Sequence, residues 1–357
     1  MPNPLAADLD HVLAHTEGVW EQLRGARLFV TGGTGFFGCW LLESFLWASD
    51  RMELKATMTV LTRSPERFRA KAPHLAGHPA IRLIEGDARS FPFPQAPYSH
   101  VIHGAAEASA ALNRDEPLRM LDTIVEGTRR ALEFAVSAGA GRFLLIGSGA
   151  VYGAQPPELT HVPETYSGGP DPLDPSAAYA EAKRIAELLC GVYRRTHGFD
   201  CAIARCFAFV GPHLPLDVHF AIGNFIGDCL NGRDIRIHGD GTPWRSYLYA
   251  ADLAIWLWTI LVRGASCRPY NTGSERGVTI ADLARAAAAA VRPGTPIRAA
   301  LAAEPGAPAA RYVPDIGRAR AELGLREYVS LDDAIRRTAA WHSAAGRCNP
   351  VWEQARA

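Results

Sequence analysis

From Arg27 to Cys206, short runs of β-branched and aliphatic residues alternate with longer segments of helical periodicity. That order builds a parallel sheet covered by helices on both faces. The pattern predicts strands at Arg27–Thr31, Thr57–Thr62, Ile81–Glu85, Val101–Gly104, Phe143–Gly147 and Ala202–Phe207. It predicts helices at Phe37–Trp47, Pro65–Ala72, Pro117–Ala138 and Ala177–Arg194. Strands joined by such crossovers imply a doubly wound α/β fold, with its ligand crevice at the carboxyl ends of the strands. After Phe207 the elements shorten and are broken by Gly and Pro. Helices are expected near Ile222–Asn231, Ala251–Val262, Ile280–Val291 and Ser330–Ala345, an exposed loop at Glu304–Ala309, and no internal repeat. This region reads as a smaller C-terminal lobe closing over the crevice.

Composition narrows the class. The chain has 357 residues, 48% hydrophobic and 21% charged, which is ordinary for a globular protein and excludes disorder as the main state. Its 37 basic and 37 acidic side chains cancel, so charge gives no case for a nucleic acid or an anionic membrane as partner. The apolar stretch Leu253–Val262 is about half the roughly 20 residues of a membrane span and reads as a buried helix. Residues Met1–Asp10 have no basic cluster and no apolar core, so no secretory signal is expected. Seven scattered cysteines suggest reduced thiols and a cytoplasmic location. Residues 1–25 predict an extra helix on which His11 and His15 share a face; with no third ligand nearby they read as a solvent-exposed pair, and no metal site is expected.

Directly after the first predicted strand comes Thr31-Gly32-Gly33-Thr34-Gly35-Phe36-Phe37-Gly38, followed by an apolar helix. Glycines at 32, 35 and 38 permit a tight turn, clear side chains where backbone must approach a pyrophosphate, and let helix and sheet pack closely. This context points to a Rossmann-type dinucleotide site, with Phe36, Phe37 and Ala105 among its candidate contacts. Residues 26–207 are therefore read as the dinucleotide-binding domain, 1–25 as an N-terminal extension, and 208–357 as mainly a substrate-binding lobe with C-terminal helices. At the end of the second strand an acid would hold a ribose 2′-hydroxyl, whereas a cation would meet a 2′-phosphate. The segment Leu61-Thr62-Arg63-Ser64 offers Arg63 and no acid, favouring NADP(H) over NAD(H), unless Arg63 only stacks on adenine or faces solvent. Asp87 is placed either to accept from the adenine amino group or to shape a turn.

Tyr179 and Lys183 are four apart on a predicted helix and so lie on one face. An adjacent ammonium should favour the phenolate and bring the Tyr toward useful acid–base behaviour. Ser148, in Leu145-Ile-Gly-Ser-Gly-Ala-Val-Tyr-Gly153, ends the fifth strand at the same crevice edge. Further motifs follow in order: His103-Gly-Ala-Ala106, Arg205-Cys-Phe-Ala-Phe-Val-Gly-Pro212, Gly239 to Asp252 with Arg245 inside it, and Tyr270-Asn-Thr-Gly273. From about Arg27 to Leu325 the chain resembles the extended short-chain dehydrogenase/reductase family, the nucleotide-sugar epimerase, dehydratase and reductase group.

The resemblance implies that Tyr179 is the acid or base on a sugar oxygen, that Lys183 holds the nicotinamide ribose, and that Ser148 bonds the reacting oxygen. It implies a hydride passed at sugar carbon 4 and a diphosphate contact from Arg245, with Asn224 and Arg311 as further diphosphate candidates and Glu107 as a sugar contact. Two departures stand out, Ile124 and Ala208, where the family usually has Asn. A third bears on the reaction: related 4,6-dehydratases and uronic acid decarboxylases carry acids just after the catalytic hydroxyl, where this chain has Gly149 and Ala150. The expectation is thus an NADP(H)-dependent 4-ketoreductase of a deoxythymidine-diphosphate 4-keto-6-deoxyhexose or a close relative, acting as a homodimer through the helices Pro117–Ala138 and Ala177–Arg194. The alternative is a nucleotide-sugar 4-epimerase holding NAD; a 4,6-dehydratase or a non-catalytic NADP(H)-binding regulator fits the residues less well.

Overall fold

The computed structural model describes residues 3–106, 110–218, 220–304 and 306–344. The N-terminal extension folds as two short helices, α1 (Ala6–Ala14) and α2 (Val19–Gln22). Then come β1 (Arg27–Thr31), α3 (Phe36–Met52), β2 (Thr57–Thr62), α4 (Pro65–Lys71), α5 (Pro73–Ala76), β3 (Ile81–Glu85), β4 (His100–His103), α6 (Ala110–Asp115), α7 (Pro117–Ser137), β5 (Arg142–Ser148), α8 (Ala178–His197) and β6 (Asp200–Cys206). Local chemistry sets the boundaries. Pro65 opens α4 behind an Ser64 cap that accepts from the Arg67 N–H at 3.3 Å, and Gly198 in the left-handed region closes α8.

The strands form one seven-stranded parallel sheet in the order β11-β6-β5-β4-β1-β2-β3, with β11 at Pro269–Thr272. The order reverses between β1 and β4, so the expected crevice opens at their carboxyl ends. Six strands were predicted. The seventh comes from beyond residue 207, and its four residues, Pro-Tyr-Asn-Thr, carry no strand alternation in their own sequence; its place is set by pairing with β6, Tyr270 opposite Ala204.

The remaining elements are β7 (Phe209–Val210), α9 (Ala221–Leu230), β8 (Ile235–Ile237), β9 (Trp244–Arg245), β10 (Leu248–Tyr249), α10 (Ala250–Arg263), β12 (Val278–Thr279), α11 (Ile280–Val291), β13 (Ile297–Ala299), β14 (Arg311–Tyr312), α12 (Gly317–Leu323) and α13 (Leu331–Ala344). Helix α10 contains the apolar stretch noted above and is buried through Val262, as expected. Among the described residues no helix is long and apolar enough to cross a membrane. Six cysteines are free thiols; Cys348 lies outside the described residues.

The extension is built into the core, which corrects the expectation for His11. Leu9, Val12, Trp20 and Leu23 are buried, each worth about 1.5–3 kcal/mol for a large apolar side chain. Asp8 accepts from the Tyr249 hydroxyl and from Arg337, both at 2.6 Å. His11 reaches the buried Asp252 at 3.2 Å, and the His15 ring packs on Tyr328 at 4.0 Å. His11 is therefore part of a structural joint, whereas His15 stays exposed as expected, and among the described residues no group of three or more His, Cys, Asp or Glu side chains could hold a metal ion.

Candidate active site

The glycine loop at the start of α3 has the form a pyrophosphate requires. Gly32 has φ of 74°, and a Cβ on it would lie 2.5 Å from the Gly104 carbonyl carbon and 2.8 Å from the Ala105 nitrogen, so this turn is pressed against the end of β4. A Cβ on Gly38 would lie 2.4 Å from the Gly33 Cα, so the helix touches the loop backbone to backbone. At Gly35, by contrast, the nearest atom to such a Cβ is 3.6 Å away, which leaves an open cradle over the first turn of α3. No side-chain hydrogen bond caps the start of α3, and helical N–H groups at such an end suit an anion. These residues fit a dinucleotide. Thr31 stitches the floor: its hydroxyl accepts from the Ala105 N–H at 3.2 Å and pairs with His103 at 2.8 Å. Burial, and then the charge of Lys183, hold His103 neutral with its pKa near 3. Phe36 and Phe37 stand at the helix start with ring centroids 5.6 Å apart, and Phe37 meets Phe209 edge-on at 4.9 Å.

At the adenosine end, Arg63 is exposed just past β2. Asp87 accepts from Arg89 at 2.9 and 3.1 Å and from its backbone N–H at 2.9 Å, so the turn reading of Asp87 has a structural basis. The Arg89 hydrogen bond, with the charge of Arg63 as a smaller contribution, lowers the Asp87 pKa. Arg89 is thus a second cation beside Arg63, two residues past Asp87, and the sequence reading did not single it out.

At the reacting end, β5 delivers Ser148 level with Cys206 of β6, and α8 delivers Tyr179 and Lys183. Ser148 Oγ accepts from the Ala150 N–H at 3.1 Å and lies close enough to Tyr179 to favour its ionised form. Lys183 is buried, donates to the Ile146 carbonyl at 3.0 Å, and its Nζ lies 5.9 Å from the centroid of the Tyr179 ring. The three predicted catalytic residues are therefore brought together. The electrostatic expectation needs correction, however. Burial raises the Tyr179 pKa, with the nearby Ser148 opposing it, and burial draws Lys183 down to about 8 against the pull of Cys206 and Glu187. The same dry pocket that brings ammonium and phenol together makes both charged forms costly.

The lobe contributes β9 and β14, which run parallel with Trp244 opposite Arg311 and Arg245 opposite Tyr312. This pairing separates two predicted partners. Arg311 lies over the Trp244 ring at 4.8 Å, whereas Arg245 shares a face with Tyr312 at 5.9 Å from its ring centroid. Tyr312 lies beside the site: its ring is 4.6 Å from that of Phe207, and burial, then the charge of Tyr179, raises its pKa. No sequence motif had pointed to it. Asn224 sits half-buried in the first turn of α9, and no hydrogen bond among the described residues ties it to the Ser148 cluster. Glu107 lies outside the described residues. Several motif residues prove to be scaffolding: Arg205 grips Glu187 at 2.7 Å and Tyr152 at 2.8 Å, and the Tyr152 hydroxyl donates to Asn271 at 2.7 Å, locking the turn after β5 to β6, β11 and α8.

A sequence model of the NAD dependent epimerase/dehydratase family matches residues 28–273. The chain belongs to that family. It is accordingly a member of a family of NAD-dependent enzymes with a Rossmann-type fold. The chain is 31% identical to UDP-glucuronic acid decarboxylase 6 of Arabidopsis thaliana over 87% of this chain and 86% of that protein. It is 29% identical to UDP-glucuronic acid decarboxylase 1 of Xenopus tropicalis, over 87% of this chain and 71% of that one. Among solved structures it is similar to DesIV, the dTDP-glucose 4,6-dehydratase of Streptomyces venezuelae solved with NAD, at 27% identity and a TM-score of 0.77, covering 89% of this chain and 97% of that one. The UDP-glucose 4-epimerase of Thermotoga maritima shares the fold at a TM-score of 0.74 and 22% identity, covering 89% and 99%.

Proposed function

We propose that the protein is a 4-ketoreductase of a nucleotide-activated 4-keto-6-deoxyhexose of the deoxythymidine-diphosphate type, using NADP(H) in preference to NAD(H). The observation that carries this reading is the reacting end of the cleft. Ser148, Tyr179 and Lys183 are assembled, while the two positions after Ser148, where an eliminating or decarboxylating relative would place an acid, are Gly149 and Ala150. The slot of the first is filled: a Cβ on Gly149 would lie 2.7 Å from the Phe207 ring. The site supplies one proton to an oxygen and offers no second acid there to expel water or steer a carboxylate. That sets this chain apart from the reactions after which its decarboxylase and dehydratase relatives are named.

In this reading the reduced dinucleotide supplies a hydride to sugar carbon 4. Tyr179 gives its phenolic proton to the ketone oxygen, and Ser148 holds that oxygen in place. Lys183, 5.9 Å from the centroid of the Tyr179 ring, would hold the nicotinamide ribose. Arg245 meets the diphosphate, for which a guanidinium fork is suited. Arg63, with Arg89 nearby, supports NADP(H) because a 2′-phosphate needs a cation where NAD enzymes place an acid. A homodimer is part of the proposal: Leu188 and Val192, one turn apart on α8, and Leu118 and Val136 on α7 are exposed apolar side chains on the two helices expected to pair.

Incubation of the protein with the 4-keto-6-deoxyhexose nucleotide and NADPH tests the reading, with cofactor absorbance and product NMR as readouts. One NADPH oxidised per ketone reduced is expected. Interconversion of 4-epimers without net cofactor use would replace the reading by an epimerase, and inertness with both cofactors would overturn it.

A further inference from the structure

We infer that Asn113 is a positioning residue for Tyr179: from α6 its side-chain amide clamps the start of α8 and so fixes where the phenol stands. The inference deepens the ketoreductase reading and rests on it for the reaction, but not for its geometry.

A helix leaves its first N–H groups without partners inside the helix, and the residue before the first turn usually meets one of them with a side-chain oxygen. At α8 that residue is Ala177, whose side chain has no acceptor to offer. Tyr179 is the second residue of α8, so its backbone N–H is one of these groups. Asn113, half-buried on another element, supplies what Ala177 lacks. Its Oδ1 accepts from the Tyr179 N–H at 2.9 Å, and its Nδ2 donates to the Ser176 carbonyl at 2.7 Å. An amide carries both an acceptor and donors, so one side chain serves both groups. The two contacts span the junction between the 3-10 turn Pro175–Ala177 and α8, where the backbone changes its winding. Asp174 holds the other side of that turn, accepting from the Ser176 N–H at 2.8 Å.

One turn further on, the helix is anchored differently. Lys183 donates to the Ile146 carbonyl at 3.0 Å, and Arg184 donates to the carbonyls of Val151 at 2.9 Å and Gly168 at 3.1 Å. Those contacts seat the body of α8 against β5 and the turn after it. The seating of its first turn falls to Asn113. A phenol hydroxyl stands far out from its Cα, so a small tilt of that turn becomes a larger displacement at the reacting oxygen. Helix α6 follows β4, whose end borders the glycine loop where Gly32 meets Gly104 and Ala105. Asn113 thus ties the catalytic helix to the segment that leaves the cofactor cradle.

The test compares Asn113→Ala and Asn113→Asp with the wild type. Alanine removes both contacts, whereas aspartate keeps an acceptor and loses the donor. In protein carrying ¹⁵N-labelled tyrosine, without cofactor or substrate, the Tyr179 amide is assigned with Tyr179→Phe and its exchange with solvent is followed by NMR. It should exchange about tenfold faster or more in Asn113→Ala, as for one lost hydrogen bond, with the other tyrosine amides unchanged. Turnover should follow that amide across both variants. Where the amide is freed, kcat should fall about 10- to 100-fold, the scale of a reacting group misplaced by up to about 1 Å, with the NADPH dissociation constant within about twofold of wild type. A Tyr179 amide still protected in Asn113→Ala overturns the inference. So does a variant in which the amide is freed and kcat kept, or the amide held and kcat lost. Wild-type protein inert toward ketosugars would defeat the reductase reading alone, because amide exchange needs no substrate and would still decide whether Asn113 holds Tyr179.

Discussion

The two ends of the cleft are built from opposite materials. At the phosphate end recognition is made of missing side chains: Gly32 against Gly104 and Gly38 against Gly33 leave no room for a single carbon, and the ligand is met by backbone. At the reacting end recognition is made of hydroxyls and one amine held on rigid elements, Ser148 at the end of β5 and Tyr179 and Lys183 on α8. The first end is intolerant of atoms added. The second is tolerant in shape and intolerant of polar atoms removed. Binding and chemistry should therefore be separable by substitution.

The largest expected effect is at the reacting end. Tyr179→Phe removes one oxygen and should lower turnover by roughly 100- to 10,000-fold, the usual worth of a positioned acid–base group. The dinucleotide dissociation constant and the melting temperature should stay close to wild type; a parallel loss of cofactor affinity would erase the contrast between the two ends. The reverse experiment is Gly38→Ala. The added carbon must displace α3 or the loop, and overpacking of about 1–3 kcal/mol corresponds to roughly a 5- to 150-fold weaker cofactor complex. Calorimetric titration would measure it. Unchanged affinity would mean that the close approach of helix and loop is not what shapes the cradle.

The unequal legibility of the two ends in sequence has the same origin. A phosphate loop is contiguous, so Gly32, Gly35 and Gly38 announce it after a strand and before a helix. Tyr179 and Lys183 are legible because one helical turn joins them. Tyr312 is not, because its place depends on a two-residue strand whose pairing with Trp244 and Arg245 is purely tertiary. The same pairing gives Arg311 and Tyr312 different neighbours: strand parity sends adjacent side chains to opposite faces, and nothing local reveals which face is the cleft. Strand β11 was missed for a related reason, being held by β6 rather than by its own pattern. His11 looked like a surface residue until Asp252, far along the chain, was found beneath it at 3.2 Å.

A smaller effect should sharpen the cofactor end. Arg63→Ala removes a cation beside the expected ribose and should weaken NADPH binding by about tenfold or more, as for a lost charge-assisted contact, while leaving NADH unchanged. A ratio of the two dissociation constants near one in the wild type would remove the preference for NADP(H) altogether.

The smallest effect on turnover is expected outside the cleft, on the helix that carries the phosphate cradle. Glu43 of α3 is buried, and His74 donates to it at 2.7 Å while His213 lies at 3.5 Å. Burial alone would raise its pKa, but the hydrogen bonds and charges of His213 and His74 overcome that and bring it to about 2 from an ordinary 4.5. A carboxyl bound more weakly by protons in the folded state stabilises the fold in full above pH 4.5, and that contribution is lost as pH falls toward 2. The depression is worth about 3 kcal/mol at 1.36 kcal/mol per unit. Glu43→Gln should therefore lower the melting temperature at neutral pH and flatten its fall between pH 4.5 and 2, with kcat unaltered. A variant as acid-sensitive as the wild type would show that the histidine contacts do not hold this helix. The phosphate cradle would then owe its rigidity to the glycine contacts and to Trp40, whose indole N–H donates to the Pro212 carbonyl at 2.8 Å.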